Sequence, residues 1–148
     1  MKHLLMLVVF VSVVMFVGCN KNEGTKAVDP AKKPSAEGMT VLPSGLKYRV
    51  LTAGTGAKPG ASERVDVHYR GQFADGKEFD SSYKRGQPAT FPVNGVIKGW
   101  TEALQLMGAG AKWELCIPPD LAYGKAGMPP VIPPDSTLYF EVELLKVH

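Results

Sequence analysis

The segment Arg64–Phe73 constrains the fold of this chain more than any other. Val65, Val67 and Tyr69 alternate with polar residues, which is the period of a β-strand with one buried face. Asp75-Gly76 then supplies the dipeptide that favours a tight hairpin turn. The segment that follows should therefore return antiparallel to the first, which predicts an antiparallel sheet.

Other segments add strands and one helix to this hairpin. Strands are predicted at Leu46–Leu51, Glu78–Asp80, Ala111–Ile117 and Thr137–Val147. Apolar residues at helical spacing from Ile97 to Met107 predict one short amphipathic helix, which Gly108 is placed to end. Several antiparallel strands with a single helix predict an α+β domain, in which the helix covers one face of a curved sheet.

A proline-rich segment, Pro118–Asp135, separates the last two predicted strands. A long loop without secondary structure of its own is commonly either functional or disordered. Apolar residues such as Tyr123 and Met128 argue against disorder, and the prolines restrict the backbone. We therefore expect a stiff apolar flap.

Residues 1–18 have the pattern of a secretory signal peptide. A short basic start precedes an almost unbroken apolar run, Leu4–Val17, which is shorter than the ~20 residues that a membrane-spanning helix needs. Gly18-Cys19 at its end resembles a bacterial lipobox, which predicts lipid attachment at Cys19. An ordinary signal peptide or an uncleaved anchor is the alternative, and Cys19 would then have no such role.

Residues 19–40 are predicted to be the lipidated cysteine and a flexible tether, because the segment has too few large apolar residues to order itself. Residues 41–148 are the predicted folded domain. With Cys19 lipidated, Cys116 has no partner, so we expect a small buried side chain and no disulfide. The net charge of +3 comes from interspersed charges of both signs, which argues against nucleic-acid binding.

Five short motifs occur in one order along the chain: Val67–Tyr69, Phe79–Ser82, Val96–Trp100, Ala122–Gly124 and Ile132–Pro134. Together they closely resemble the FK506-binding-protein (FKBP) family of peptidyl-prolyl cis-trans isomerases. Phe91–Ile97 and Trp113–Tyr123 look most like its bacterial macrophage-infectivity-potentiator branch. The resemblance implies a bent, half-open antiparallel sheet wrapped around one short α-helix.

The resemblance also implies a proline-binding pocket. By motif position, the catalytic residues would be Asp80, Tyr123, Phe79, Ile97 and Trp100. The substrate-binding residues would be Tyr69, Phe91, Val96, Phe140 and Arg85. Trp100 would form the floor, while the Ile97 backbone N–H and the Tyr123 hydroxyl would hold substrate carbonyls.

An apolar pocket suits rotation about an Xaa-Pro amide. The barrier of about 18–20 kcal/mol comes from amide resonance, which is lost in the twisted, less dipolar transition state. A desolvating pocket therefore favours that state over the well-solvated ground state. We expect no covalent intermediate, cofactor or metal, and Asp80 should act by electrostatics and positioning.

Taken singly, each aromatic could be a core residue, and Asp80 could be a turn residue. Their joint order favours an isomerase that assists folding of exported proteins in the bacterial envelope. The alternatives are a non-catalytic module binding proline peptides or an apolar ligand, and a tethered chaperone. Expected partners are proline-containing polypeptides, the membrane through the lipid, and macrolides as candidate inhibitors. We expect a monomer facing the periplasm, with Asn20 after Cys19 favouring the outer membrane.

Overall fold

The computed structural model describes residues 33–148, so the predicted signal peptide, Cys19 and much of the tether lie outside the described residues. The strands are β1 Thr40–Val41, β2 Lys47–Thr52, β3 Arg64–Phe73, β4 Glu78–Ser81, β5 Ala89–Pro92, β6 Lys112–Ile117 and β7 Leu138–Val147. The helices are α1 Ser82–Arg85 and α2 Lys98–Leu106. Short 3₁₀ turns occupy Val93–Gly95 and Pro119–Leu121.

One antiparallel sheet contains all of the strands, in the order β1-β2-β6-β7-β3-β4, with β5 also paired to β3. The long strand β3 pairs with β7 along one edge. Its other edge is shared by two short strands, β4 over Arg70–Gln72 and β5 over Arg64–Val67. The β3–β7 register shifts between Asp66 and Val67, and such irregularities increase the local twist of a sheet.

The core lies between the concave face of the sheet and α2. Val65, Val67 and Tyr69 are buried at alternate positions of β3, as their period predicts. Helix α2 has nine residues, too few for stability in isolation, so its packing on the sheet holds it. The contact is tight at Gly99, where a β-carbon would lie 2.6 Å from Cγ2 of Ile117.

The predicted α+β fold is confirmed, with one main helix and an antiparallel sheet. Helix α2 ends just before Gly108, as predicted, although Gly108 does not take the left-handed conformation of a glycine cap. Met107 is the C-cap in an extended conformation, and its N–H bonds to the carbonyls of Ala103 and Leu104. Gly108 instead allows a close approach, because a β-carbon there would lie 2.8 Å from the Gly56 carbonyl oxygen.

Ordered contacts begin ahead of residue 41. Thr40 pairs with Tyr48, and the Arg49 guanidinium donates a hydrogen bond to the Glu37 carbonyl. The Lys33 backbone lies beside Gly76 in the β3–β4 turn. Residues 33–39 therefore run from that turn to β2 before the first strand begins.

The flap, Pro118–Asp135, contains some secondary structure, which the sequence did not predict. A 3₁₀ turn occupies Pro119–Leu121, and an antiparallel bridge joins Met128 and Ile132. Cys116 is buried and free among the described residues. No helix within residues 33–148 is long and apolar enough to cross a membrane.

Candidate active site

An open cavity of about 620 Å³ lies between the sheet, α2 and the flap. Its volume is within the range of small-molecule and cofactor sites. Every residue of the predicted proline-binding pocket except Arg85 lines it, namely Tyr69, Phe79, Asp80, Phe91, Val96, Ile97, Trp100, Tyr123 and Phe140. The motifs that are dispersed along the sequence therefore meet around one pocket.

Trp100 lies at the centre of the aromatic lining and is 4% exposed. The rings of Tyr69, Phe91 and Phe140 surround the indole, with centroid distances of 5.2, 5.9 and 5.3 Å. Each ring is within about ten degrees of perpendicular to the indole plane, the edge-to-face arrangement that aromatic pairs favour. Phe79 extends the wall by packing edge-to-face on Phe140 at 5.5 Å.

A closed triangle of hydrogen bonds holds the Asp80 carboxylate. The Tyr69 hydroxyl donates to Oδ2 of Asp80 at 2.5 Å. Arg85 donates from Nη1 to Oδ1 of Asp80 at 2.5 Å, and from Nη2 to the Tyr69 hydroxyl oxygen at 2.8 Å. Both carboxylate oxygens therefore have donors from protein side chains.

The triangle sets the protonation of its members. Burial acts to raise the pKa of Asp80, but the hydrogen bonds from Tyr69 and Arg85 and the charge of Arg85 outweigh it, so the pKa is lowered. Burial and the bond to Asp80 raise the pKa of Tyr69. At neutral pH, Asp80 is therefore a carboxylate and Tyr69 a neutral phenol. Neither group is poised to exchange a proton with a substrate.

Tyr123 lines the cavity from the flap side. Burial and then the negative charge of Asp80 raise the pKa of its hydroxyl. The phenol consequently stays neutral and keeps its proton for a hydrogen bond. A neutral donor facing an apolar cavity can orient a substrate carbonyl.

Ile97 is the N-cap residue of α2, with the non-helical backbone angles φ −57° and ψ 150°. Its carbonyl accepts the N–H groups of Trp100 and Thr101, while its own N–H forms no backbone hydrogen bond within the described residues. The Thr101 hydroxyl donates to the Val93 carbonyl at 2.8 Å and ties the preceding 3₁₀ turn to the helix. The Ile97 amide therefore lies in a fixed segment at the cavity wall.

The flap contributes three cavity residues beyond the predicted site residues, namely Met128, Val131 and Ile132. Ile132 is 1% exposed and anchors the flap in the core, whereas Met128 and Val131 are 42% and 46% exposed. Reciprocal backbone hydrogen bonds of 2.8 and 2.9 Å join Met128 to Ile132. Apolar residues in a proline-rich loop were the available signal, but their positions depend on this closed turn.

Arg85 and His68 lie near the cavity residues but do not line the cavity. Arg85 is outside the lining and contacts the cavity residues Asp80 and Tyr69. His68 is half-buried, with Nδ1 2.9 Å from the Ser82 hydroxyl and its ring stacked on Tyr83. Within residues 33–148, no three His, Cys, Asp or Glu side chains are grouped to hold a metal.

Residues 55–145 match the family described as FKBP-type peptidyl-prolyl cis-trans isomerase. The chain belongs to this family. The match covers more than half of the chain, and it includes every residue of the predicted proline-binding pocket.

Relatives and solved structures agree with this assignment. The chain is 55% identical over 125 residues to the FKBP-type 22 kDa peptidyl-prolyl cis-trans isomerase of Escherichia coli, covering 84% of this chain and 60% of that protein. It is 52% identical over 128 residues to the outer membrane protein MIP of Legionella longbeachae, covering 86% and 54%. The crystal structure of FkpA from Escherichia coli matches with a TM-score of 0.72 and 54% identity, covering 75% and 52%. The chain thus spans little more than half the length of these relatives.

Proposed function

We propose that this protein is a peptidyl-prolyl cis-trans isomerase that accelerates rotation of Xaa-Pro bonds in exported polypeptides. One observation carries the proposal: an aromatic cavity with a buried indole at its centre adjoins a carboxylate that is held ionised by the Tyr69–Arg85 pair. The family of the chain supports the same activity.

Desolvation supplies the main driving force in this proposal. The ground-state amide is strongly dipolar and well solvated, so its transfer into the aromatic cavity is costly. The twisted amide has lost its resonance and is less dipolar, so the same cavity disfavours it less. Phe79, Phe91, Val96, Trp100 and Phe140 are the side chains to which we assign this role.

Polar groups at the cavity orient the substrate. The Ile97 amide N–H and the Tyr123 hydroxyl donate to substrate carbonyls in this proposal, which fixes the peptide on both sides of the proline. Asp80 supplies a fixed negative charge beside the cavity, and Tyr69 and Arg85 hold that charge in place. No step transfers a proton, because Asp80 stays ionised and Tyr123 stays neutral.

Magnetisation-exchange NMR on a short Xaa-Pro peptide tests the activity. With the full-length chain in detergent micelles, the exchange rate between the cis and trans peptide signals should increase in proportion to protein concentration. Peptide binding without faster exchange would contradict the proposal and support the non-catalytic binding module. Suppressed aggregation of an unfolded client without faster exchange would instead support the chaperone.

We also propose that lipid on Cys19 anchors the protein in the bacterial envelope, facing the periplasm and in the outer membrane. The lipobox-like sequence and the relative described as an outer membrane protein support this location. Mass spectrometry of the mature N-terminus should find a lipidated cysteine as the first residue. An unmodified N-terminus beyond Cys19 would contradict it.

We further propose that the protein is a monomer and that its cavity binds macrolides. The described residues contain no heptad pattern that would form a coiled-coil dimer, and light scattering should therefore give the mass of one chain plus its micelle. The aromatic cavity could hold a macrolide in place of peptide. Such a compound should then compete with the Xaa-Pro peptide, and unaffected exchange at saturating compound would exclude a shared site.

A further inference from the structure

Ser82, the first residue of α1, is fully buried against β3. Its hydroxyl oxygen accepts the Tyr69 backbone N–H at 2.8 Å, and the Tyr69 carbonyl oxygen lies 3.3 Å from the same hydroxyl. Nδ1 of His68 is the third neighbour, at 2.9 Å. Buried polar groups require such partners, so the Ser82 hydroxyl and the Tyr69 backbone satisfy one another.

A gap in strand pairing explains the position of this hydroxyl. Along one edge of β3, the partner β4 covers Arg70–Gln72 and the partner β5 covers Arg64–Val67. Tyr69 falls between these two stretches and has no strand opposite it on that edge. Backbone N–H and C=O groups must nevertheless be paired when buried. Ser82 supplies the donor and acceptor that a strand would otherwise provide.

The far end of the same helix carries Arg85, which closes the hydrogen-bond triangle with Asp80 and the Tyr69 hydroxyl. Helix α1 has four residues and cannot be stable without outside contacts. Its first residue is fixed to the backbone of Tyr69, and its last residue is fixed to the side chain of Tyr69. The N-cap bond, in which the Ser81 hydroxyl oxygen accepts the Lys84 backbone N–H, is long, at 3.4 Å, so Ser82 makes the closer attachment.

We propose that Ser82 is a positioning residue of the active site. By holding α1 against the Tyr69 backbone, it keeps the Arg85 guanidinium on Asp80, although Ser82 itself does not line the cavity. The inference rests on the proposed isomerase function. Loss of the Ser82 hydroxyl should act through Arg85, because the variant retains every group proposed to contact the substrate.

A ¹³C NMR pH titration of the Asp80 carboxyl tests this placement without reference to activity. We would compare the full-length wild-type chain, the Ser82→Ala variant and the Arg85→Ala variant in the same micelles. In the Ser82→Ala variant, the Asp80 pKa should rise toward its value in the Arg85→Ala variant. An unchanged pKa in folded Ser82→Ala protein would overturn the inference. Ser44→Ala, which removes an exposed hydroxyl bonded to Glu102, is the matched control and should leave the pKa unchanged.

A double-mutant cycle on the exchange rate separates positioning from general damage to the fold. Ser82→Ala should lower the rate several-fold, and Ser82→Ala combined with Arg85→Ala should be no slower than Arg85→Ala alone. If the two substitutions instead lower the exchange rate by independent factors that multiply in the double variant, the inference is overturned. If Ser82→Ala fails to fold, the Ser82→Cys variant is titrated in its place, because its thiol is only a weak donor and acceptor. The Asp80 pKa should again rise toward its value in Arg85→Ala, and an unchanged pKa would overturn the inference. An inactive wild type would refute the proposed function, while the Asp80 titration would still decide the role of Ser82.

Discussion

Gly71 and Phe79 are in such close contact that a β-carbon at Gly71 would lie 2.6 Å from Cζ of Phe79. The same β-carbon would lie 2.8 Å from Cε1 of Phe140. Gly71 in β3 therefore gives the backbone room beneath two aromatic walls of the cavity. The position requires glycine for this close approach, since its backbone conformation is that of an ordinary strand.

Gly71→Ala should displace Phe79 and Phe140 and so damage the cavity. We expect a loss of isomerase activity on the order of tenfold, equivalent to ~1.4 kcal/mol in the barrier. We also expect destabilisation of about 1–3 kcal/mol from overpacking. Exchange NMR and urea unfolding measure the two effects. Gly60→Ala, where the nearest neighbour of a β-carbon is the Glu63 carboxylate at 3.8 Å, is the control. Equal activity of Gly71→Ala and Gly60→Ala would contradict the assignment of Phe79 and Phe140 as walls of the active cavity.

Asp80→Asn tests the fixed negative charge. The substitution keeps the shape of the side chain, but it removes the charge that Arg85 and Tyr69 hold. We expect a loss of activity on the order of tenfold, or ~1.4 kcal/mol, with the fold retained. Asp75→Asn, in the exposed β3–β4 turn, is the matched control and should retain full activity. Full activity in Asp80→Asn would refute the electrostatic role.

Stability should depend on the ionisation of Asp80 at low pH. The pKa of Asp80 in the folded protein lies below its ordinary value of 3.8, so the unfolded chain binds the proton more readily. The contribution of Asp80 to stability is therefore present above pH 3.8 and is lost as the pH falls through the folded pKa. Thermal unfolding of Asp80→Asn should show a shallower loss of stability in that window than wild type. Parallel curves for the two proteins would contradict the lowered pKa.

Isomerase activity should not vary with pH between about pH 5 and pH 9. Asp80 is ionised throughout that range, because its pKa is lowered. The Tyr123 hydroxyl is neutral throughout, because burial and the Asp80 charge raise its pKa above the ordinary value of 10.0. A bell-shaped rate profile across this range would indicate an essential acid or base and would contradict the mechanism.

The two tryptophans of the chain allow binding to be located by fluorescence. Trp100 is in the cavity, whereas Trp113 in β6 stacks on Tyr48 at 4.5 Å, away from the cavity lining. In a Trp113→Phe variant, Trp100 fluorescence should change when an Xaa-Pro peptide is added. In a Trp100→Phe variant, the signal from Trp113 should not respond. The reverse pattern would place the peptide elsewhere.

Local patterns were sufficient to predict most of the sheet. The period of β3 and the Asp75-Gly76 turn gave the first hairpin, because both are decided by residues adjacent in sequence. Strand β5 was missed, because four residues ending in a proline give too little alternation to stand out. Helix α1 was missed for a different reason, since it depends on the attachment of Ser82 to Tyr69 across the β3 edge.

The features of the candidate site also divide into those that the sequence predicts and those that depend on contacts between distant segments. The aromatic and carboxylate members were predicted from the family resemblance and meet in one cavity. The triangle of Tyr69, Asp80 and Arg85 requires the β3–β4 register, which brings Tyr69 near the end of β4. Val131 was missed because its approach to the cavity depends on the folded turn of the flap.

Exchange NMR of an Xaa-Pro peptide in H₂O and in D₂O tests the central claim most directly. Catalysis by desolvation and positioning predicts that the protein accelerates exchange, and that the acceleration is the same in both solvents. No acceleration would refute the isomerase function. Acceleration that is markedly weaker in D₂O would show that a proton moves in the rate-limiting step, which would contradict the assignment of Asp80 as a fixed charge and of the aromatic cavity as the source of rate.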